Sequence, residues 1–226
     1  HAKTLRTHAF CSEHNASMTS INSVISLAKI ALEHLTLDQR ELRYTVWGYG
    51  RAGQFFSRKF DLISVPNRKN QLIRPKLIGC ADSKSSWIDL NGLDHERIIS
   101  FKLRNGRLPS GSQDTPEQVL WTPTDLLLLS GNGSPINKDN IERLQTKILI
   151  DMTGSLSSEC EDELYKRGIV YIPSVMATSG PFLLSMLELA NKAPEVFLEN
   201  NIELPKITES SFRIAFQKYL DQKLQS

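Results

Sequence analysis

Residues 43–53 read Arg43-Tyr44-Thr45-Val46-Trp47-Gly48-Tyr49-Gly50-Arg51-Ala52-Gly53. A largely apolar run of strand length enters three glycines at the G-x-G-x-x-G spacing, and residues 52–62 continue in a helical pattern. Strand, glycine turn and helix form the context in which that spacing carries meaning. Gly48 permits the tight turn, Gly50 leaves room for a diphosphate against the backbone, and Gly53 lets helix pack on strand. The start of the following helix offers unpaired N–H groups and a partial positive charge. The competing reading is a strand-to-helix turn that binds nothing, but such a turn has no need of glycine at the middle position. The candidate binding residues are therefore Gly48, Tyr49, Gly50, Arg51, Ala52 and Gly53.

Working outward, residues 20–37 carry a wide apolar helical face (Ile21, Val24, Ile25, Leu27, Ala28, Ile30, Ala31), with Ser20 or Thr19 as the expected cap. Residues 67–76 are polar and basic and predict an extended loop. Residues 77–81 form a second strand ending at Asp82, and residues 83–111 read as loop with short strand-like pieces. Residues 125–129 give a third strand, and a helix is expected from Asn137 to about residue 145. Residues 147–151 are a fourth strand, 157–166 an amphipathic helix, 169–172 a fifth strand, and 179–191 and 209–224 two final helices. Nearly continuous apolar strands alternating with helices imply a parallel sheet covered on both faces. The expected fold is α/β, a Rossmann-type doubly wound, mostly parallel sheet, as one domain over residues 1–226.

Composition narrows the class. With 226 residues, 40% hydrophobic and 23% charged, the chain is an ordinary globular one, and 12 Gly and 10 Pro exclude a fibrous or low-complexity protein. A net charge of +2 gives no electrostatic reason to expect nucleic acid or a membrane as partner. The densest basic patch (Arg68, Lys69, Arg74, Lys76) reads as a solvated loop. Cys11, Cys80 and Cys160 form no CxxC pair and no metal spacing with the five His, so no metal site is expected. An odd, unclustered Cys count suits a reducing, cytoplasmic setting, and Cys80 reads as a small buried residue. No apolar run nears the ~20 residues that span a bilayer. His1 is not a natural start, so the expectation is a part excised from a longer chain.

Asp82, at the end of the second strand, stands where a carboxylate accepts hydrogen bonds from adenosine ribose hydroxyls. It favours NAD over NADP by repelling a 2′-phosphate, although Ser83 and Lys84 beside it offer that phosphate partners. A turn cap is the alternative role for Asp82.

In order along the chain, Met18-Thr19-Ser20-Ile21-Asn22-Ser23, Val46-Trp47-Gly48-Tyr49-Gly50, Gly79-Cys80-Ala81-Asp82-Ser83 and Gly92-Leu93-Asp94 are followed by Ile136-Asn137-Lys138-Asp139-Asn140, Lys147-Ile148-Leu149-Ile150-Asp151 and Arg167-Gly168-Ile169 through Pro173. This series resembles the NAD(P)-binding domain of the glutamate, leucine, phenylalanine and valine dehydrogenases over nearly the whole chain. The resemblance implies a domain serving oxidative deamination of a 2-amino acid, with the small amino-acid substrate held through a further domain. It implies that Thr19 lies near the nicotinamide amide and that Ser185 reaches the substrate side chain. A helix cap and a small packing residue are the plainer roles for these two. It leaves a homo-oligomer open.

The departures fall on the nicotinamide side. Gly154 stands where the family has a ribose-binding Asn, and Thr178 and Pro181 replace an Asn and a Gly of its Ala-Asn-Ala-Gly-Gly segment. The chain contains no Gly-Gly pair, so the family's glycine-rich catalytic lysine motif is absent, and no catalytic residue is assigned. The alternative function is a catalytically inactive dinucleotide-binding or regulatory module that keeps the fold.

Overall fold

The computed structural model describes residues 13–35, 41–109, 115–180, 214 and 218. The chain divides into two compact units, residues 28–174 and residues 1–27 with 175–226.

In the larger unit, β1 (Leu42–Trp47) leads through the glycine turn into α2 (Arg51–Phe60); α1 (Glu13–Leu35) precedes it. The short strands β2 (Val65–Pro66) and β3 (Leu72–Ile73) make an antiparallel hairpin of their own. Then follow β4 (Pro75–Ala81), β5 (Ser86–Ile88), α3 (His95–Asn105), α4 (Gln118–Trp121) and β6 (Thr124–Leu129). A single 3-10 turn at Ile141–Arg143, β7 (Thr146–Asp151), α5 (Ser158–Lys166) and β8 (Val170–Ile172) complete it. The six-stranded sheet has the order β5-β4-β1-β6-β7-β8; β5 runs antiparallel to β4 and the other pairings are parallel. This is the doubly wound Rossmann-type sheet that the alternation of apolar runs and helices predicts.

Alternation along the strands assigns the two faces. Tyr44 packs edge-on against Phe56 and Phe60 of α2, with ring centroids 6.0 and 5.1 Å away. On the opposite face Ala81, Leu127, Leu129, Leu149 and Tyr171 form one core with Val119 and Leu120 of α4 and Cys160 and Leu164 of α5. Every residue of β6 is buried, and its last four residues, Leu126 to Leu129, read as an unbroken apolar run. Cys80 and Cys160 are buried free thiols.

In the smaller unit the described residues are the first part of α1, residues 175–180, which include most of the short helix α6 (Ser174–Ala177), and the helical residues Ile214 and Lys218. The expected helices over 179–191 and 209–224 otherwise lie outside the described residues, as does Ser185. Among the described residues no helix is long and apolar enough to cross a membrane.

Four local expectations are corrected. α1 begins at Glu13, so Thr19 and Ser20 lie inside the helix and not at its start. Residues 13–18 carry neither Gly nor Pro to stop the helix, and only its apolar stretch was legible as a periodic face. Residues 67–76 are not one loop: Asn67 nucleates the β2–β3 turn by accepting from the Lys69 and Gln71 N–H groups, Asn70 takes φ 57, and Lys76 belongs to β4. Residues 83–111 hold β5 and the 11-residue α3, whose Asp94 cap accepts from the Glu96 and Arg97 N–H groups and whose end is Gly106 in the left-handed region. Only Ile98 of α3 is buried, so it lacks the apolar stripe by which a helix is read. The helix expected from Asn137 shrinks to the 3-10 turn. Asn137 and Asn140 side chains bond to nearby backbone (Asn137 Oδ1 from Asp139 N, Asn140 Oδ1 from Asn137 N, Asn140 Nδ2 to the Pro135 carbonyl), in competition with helical pairing.

Candidate functional site

The chain places β4 on one side of β1 and then crosses to β6 on the other. Strand order reverses there, and in open α/β sheets the crevice beyond the carboxyl ends of such strands is the binding position. A cleft of about 350 Å³ opens at that point, lined by Trp47, Gly48, Tyr49, Gly50, Asp82, Ser83, Lys102, Ser130, Gly131 and Asn132.

Two of the three glycines have separate structural reasons. Gly48 has φ +90, and a Cβ there would lie 2.2 Å from the Gly131 nitrogen, so backbone meets backbone between the β1 and β6 turns. A Cβ on Gly53 would lie 2.5 Å from the Gly48 oxygen and 2.9 Å from Val46 Cγ1, which fixes helix against strand. Gly50 has neither reason: its φ is −87 and an added Cβ would meet nothing within 4 Å. Gly50 lines the cleft, and that Cβ would enter open space that the fold itself does not need empty.

The start of α2 is bare. Gly50 provides no side-chain cap, no acidic residue sits in the first turn, and the first helical bond is from Gln54 N to the Gly50 oxygen. The N–H groups of Arg51, Ala52 and Gly53 thus stand at the positions a helix leaves without internal partners. The loop is pinned from behind. Ser130 donates through its N–H to the Trp47 carbonyl (2.8 Å) and through its hydroxyl to the Gly48 carbonyl (2.9 Å), while Gly48 and Tyr49 N–H groups both bond the Ala81 oxygen.

Asp82 borders the cleft but is already engaged. Its Oδ1 accepts from the Lys84 and Ser85 N–H groups, as a turn cap would, and its Oδ2 lies 3.2 Å from Lys102 Nζ. Partial burial pushes the carboxyl up, but the Lys84 N–H, the Lys102 ammonium and the Ser85 N–H outweigh it and hold the group below its ordinary value. Lys102 also donates to the Tyr49 carbonyl at 2.9 Å. Ser83 is exposed at the rim.

Of the predicted residues, Gly48, Tyr49 and Gly50 form the turn and line the cleft together with Asp82 and Ser83, while Arg51, Ala52 and Gly53 begin α2 directly after the turn and are not among the lining residues. Tyr49 lines the cleft, yet it is fully buried and its hydroxyl meets His95 Nδ1 at 2.7 Å. Thr19 lies in α1, in a part whose side chains are not described. Lys102 carries no sequence signal, because α3 lacks the apolar stripe by which a helix is read. Ser130, Gly131 and Asn132 were also missed, though a Ser-Gly-Asn-Gly run directly after a parallel strand is itself a signal for the crevice.

On the other side of β6 the turn after β7 is closed on itself. Asp151, fully buried, accepts through Oδ1 from the Thr153 N–H and hydroxyl, and Ser155 donates to the Gly133 carbonyl at 2.9 Å. Gly154 stands in that turn with φ +66.

Comparison with known proteins gives this architecture its relatives. The sequence profile of the glutamate/leucine/phenylalanine/valine dehydrogenases matches residues 12–225. The chain belongs to that family. It is 28% identical over 165 residues to a glutamate dehydrogenase of Thermotoga maritima, covering 71% of this chain and 38% of that protein. It is 26% identical over 153 residues to an NADP-specific glutamate dehydrogenase of Saccharolobus shibatae, covering 66% of this chain and 34% of that one. Among solved structures, a hetero-hexameric glutamate dehydrogenase from Thermus thermophilus superposes with TM-score 0.66 at 21% identity, over 88% of this chain and 45% of that one. The chain therefore spans under two fifths of the length of the sequence relatives it matches.

Proposed function

We propose that the cleft binds the adenosine diphosphate half of NAD or NADP, and that the chain is the cofactor domain of an amino-acid dehydrogenase of the glutamate dehydrogenase type. The observation that carries this is Gly50, a glycine required neither by its backbone angles nor by any neighbour, beside uncapped helical N–H groups. A Cβ there would fill the cradle in which a diphosphate would sit against the N–H groups of Arg51, Ala52 and Gly53. Asp82 would receive the adenosine ribose. When bound, the nicotinamide supplies hydride chemistry; this chain's residues bind and orient the cofactor. The 2-amino acid would be held mostly by residues outside this chain, with Ser185 reaching its side chain.

Asp82 alone disfavours a 2′-phosphate, and the sequence accordingly favoured NAD. Lys102, 3.2 Å from that carboxylate, offsets its charge and provides a cation that a 2′-phosphate would use. Both dinucleotides therefore fit, with Lys102 setting the tolerance for the phosphate.

A second reading has its own observation. The turn at residues 151–155, where the family resemblance expects a nicotinamide-ribose ligand, spends its polar groups on Asp151 and Gly133. This favours a module that holds the adenosine diphosphate part and contributes little to the nicotinamide. Calorimetric titration with NAD, NADP and ADP-ribose tests both. The dehydrogenase reading predicts NAD or NADP binding more tightly than ADP-ribose. Equal affinities favour the module, and no binding by any of the three removes both.

A further inference from the structure

Tyr49 sits between two glycines, the segment of greatest backbone freedom in the loop. Besides the Ser130 bonds that pin the Trp47 and Gly48 carbonyls, residue 49 has holds of its own. The Tyr49 N–H donates to the Ala81 oxygen at 2.6 Å, and its carbonyl accepts from Lys102 Nζ at 2.9 Å and from Gln54 Nε2 at 3.2 Å. Its hydroxyl meets His95 Nδ1 at 2.7 Å, and the two rings lie nearly parallel, 7° apart.

The His95 contact continues inward. His95 Nε2 lies 2.6 Å from Asp61 Oδ2, and the other Asp61 oxygen accepts from the buried Tyr44 hydroxyl at 2.6 Å. A carboxylate accepts only, so His95 donates from Nε2, and in the neutral ring its Nδ1 accepts the Tyr49 proton. Tyr49, His95, Asp61 and Tyr44 are thereby joined in one chain of hydrogen bonds. Asp61 is the residue that ends α2, and His95 is the first residue of α3. Tyr44 is anchored in β1 beneath Phe56 and Phe60. The single side chain in the glycine turn is thus moored to the far end of the helix whose near end faces the cleft.

We infer that the Tyr49–His95–Asp61 chain is a positioning device that holds the Gly48–Gly50 turn in the shape a diphosphate needs before any ligand arrives. It rests on the dinucleotide reading of the cleft and extends it to residues that touch no ligand. Preorganisation of this kind adds affinity by removing an ordering cost from the binding step. Tyr49 and His95 are therefore positioning residues, and their effect is confined to the phosphate part of a ligand.

The test is calorimetric titration of ADP-ribose and of adenosine, which lacks phosphate, into the chain and its Tyr49→Phe, His95→Gln and doubly substituted variants, with thermal unfolding alongside. Tyr49→Phe keeps the ring and loses only the hydroxyl, so it decides the matter should His95→Gln fail to fold. Expected is a loss of ADP-ribose affinity of about tenfold in each single variant, with adenosine affinity unchanged. The double variant loses no more than the weaker single one, because both changes remove the same bond. ADP-ribose affinity unchanged while unfolding temperature falls would overturn the inference and leave a merely structural role. So would equal losses for ADP-ribose and adenosine, or losses that add in the double variant. Failure of the unsubstituted chain to bind ADP-ribose is a different result: it removes the reading of the cleft, and the inference with it.

Discussion

Replacing Gly50 by Ala separates the site from the fold. Gly50 is the residue just before α2, with φ −87 and ψ −156, angles near the extended region. Alanine is the poorer residue at that position, at a cost of about 1 kcal/mol. Against this, replacing Gly by Ala lowers unfolded-state entropy and returns about 0.4–1 kcal/mol where the angles suit. No atom lies within 4 Å of the new Cβ, so no clash term enters, and net stability should change by less than about 1 kcal/mol. Binding is another matter. The methyl group stands where a diphosphate would approach the helix start, and displacing one or two charge-assisted hydrogen bonds, at about 1.5–3 kcal/mol each, weakens affinity by roughly tenfold to a thousandfold or more. Gly48→Ala is the control: at φ +90 and 2.2 Å from the Gly131 nitrogen, it should cost stability by about 2–4 kcal/mol whether or not ligand is present. Thermal melts with NAD titrations on both variants give the answer. A Gly50→Ala protein that melts normally and binds NAD as the parent does would refute the reasoning, because the open space would then have no ligand to explain it.

Other expectations follow from the same structure. Lys102→Met should weaken NADP by about tenfold while changing NAD far less, measured by titration of each; equal losses would deny Lys102 any part in phosphate tolerance. Asp82→Asn should show a pH-dependent stability deficit in the absence of ligand. The folded carboxyl is held below its ordinary value, so its contribution is complete above about pH 4 and fades as pH falls through the folded value; the melting-temperature gap between parent and variant should close in that acid range and stay open at pH 7. Phe56→Ala removes a fully buried ring stacked 4.7 Å from Phe60 and should lower stability by about 3–5 kcal/mol in denaturant unfolding; a loss under about 1 kcal/mol would mean the Tyr44–Phe56–Phe60 cluster contributes little.

The parts legible in the sequence are those where one physical signal dominates. β6 and β7 read as apolar runs because both faces of the sheet are covered, and the Gly48–Gly53 segment reads because three glycines recur at fixed spacing, two of them required by close backbone approach. The illegible parts are those where polar side chains decide the backbone. Asn67, Asn137 and Asn140 shape turns by local bonds that leave no periodic trace. α3 is helical on the strength of its caps, with one buried residue, and with it Lys102 and His95 escaped notice. Tyr49 reads as a ligand contact because it lies in the motif. Its side chain serves the loop from behind, and nothing in a linear sequence pairs position 49 with positions 61 and 95.

The direct test is a crystal structure of the chain grown with saturating NAD. The diphosphate should lie within hydrogen-bonding distance of the backbone N–H groups of Arg51, Ala52 and Gly53, with the adenosine ribose toward Asp82. A cofactor bound elsewhere, or a cleft left empty at saturating NAD, would contradict the assignment of this turn as a phosphate site.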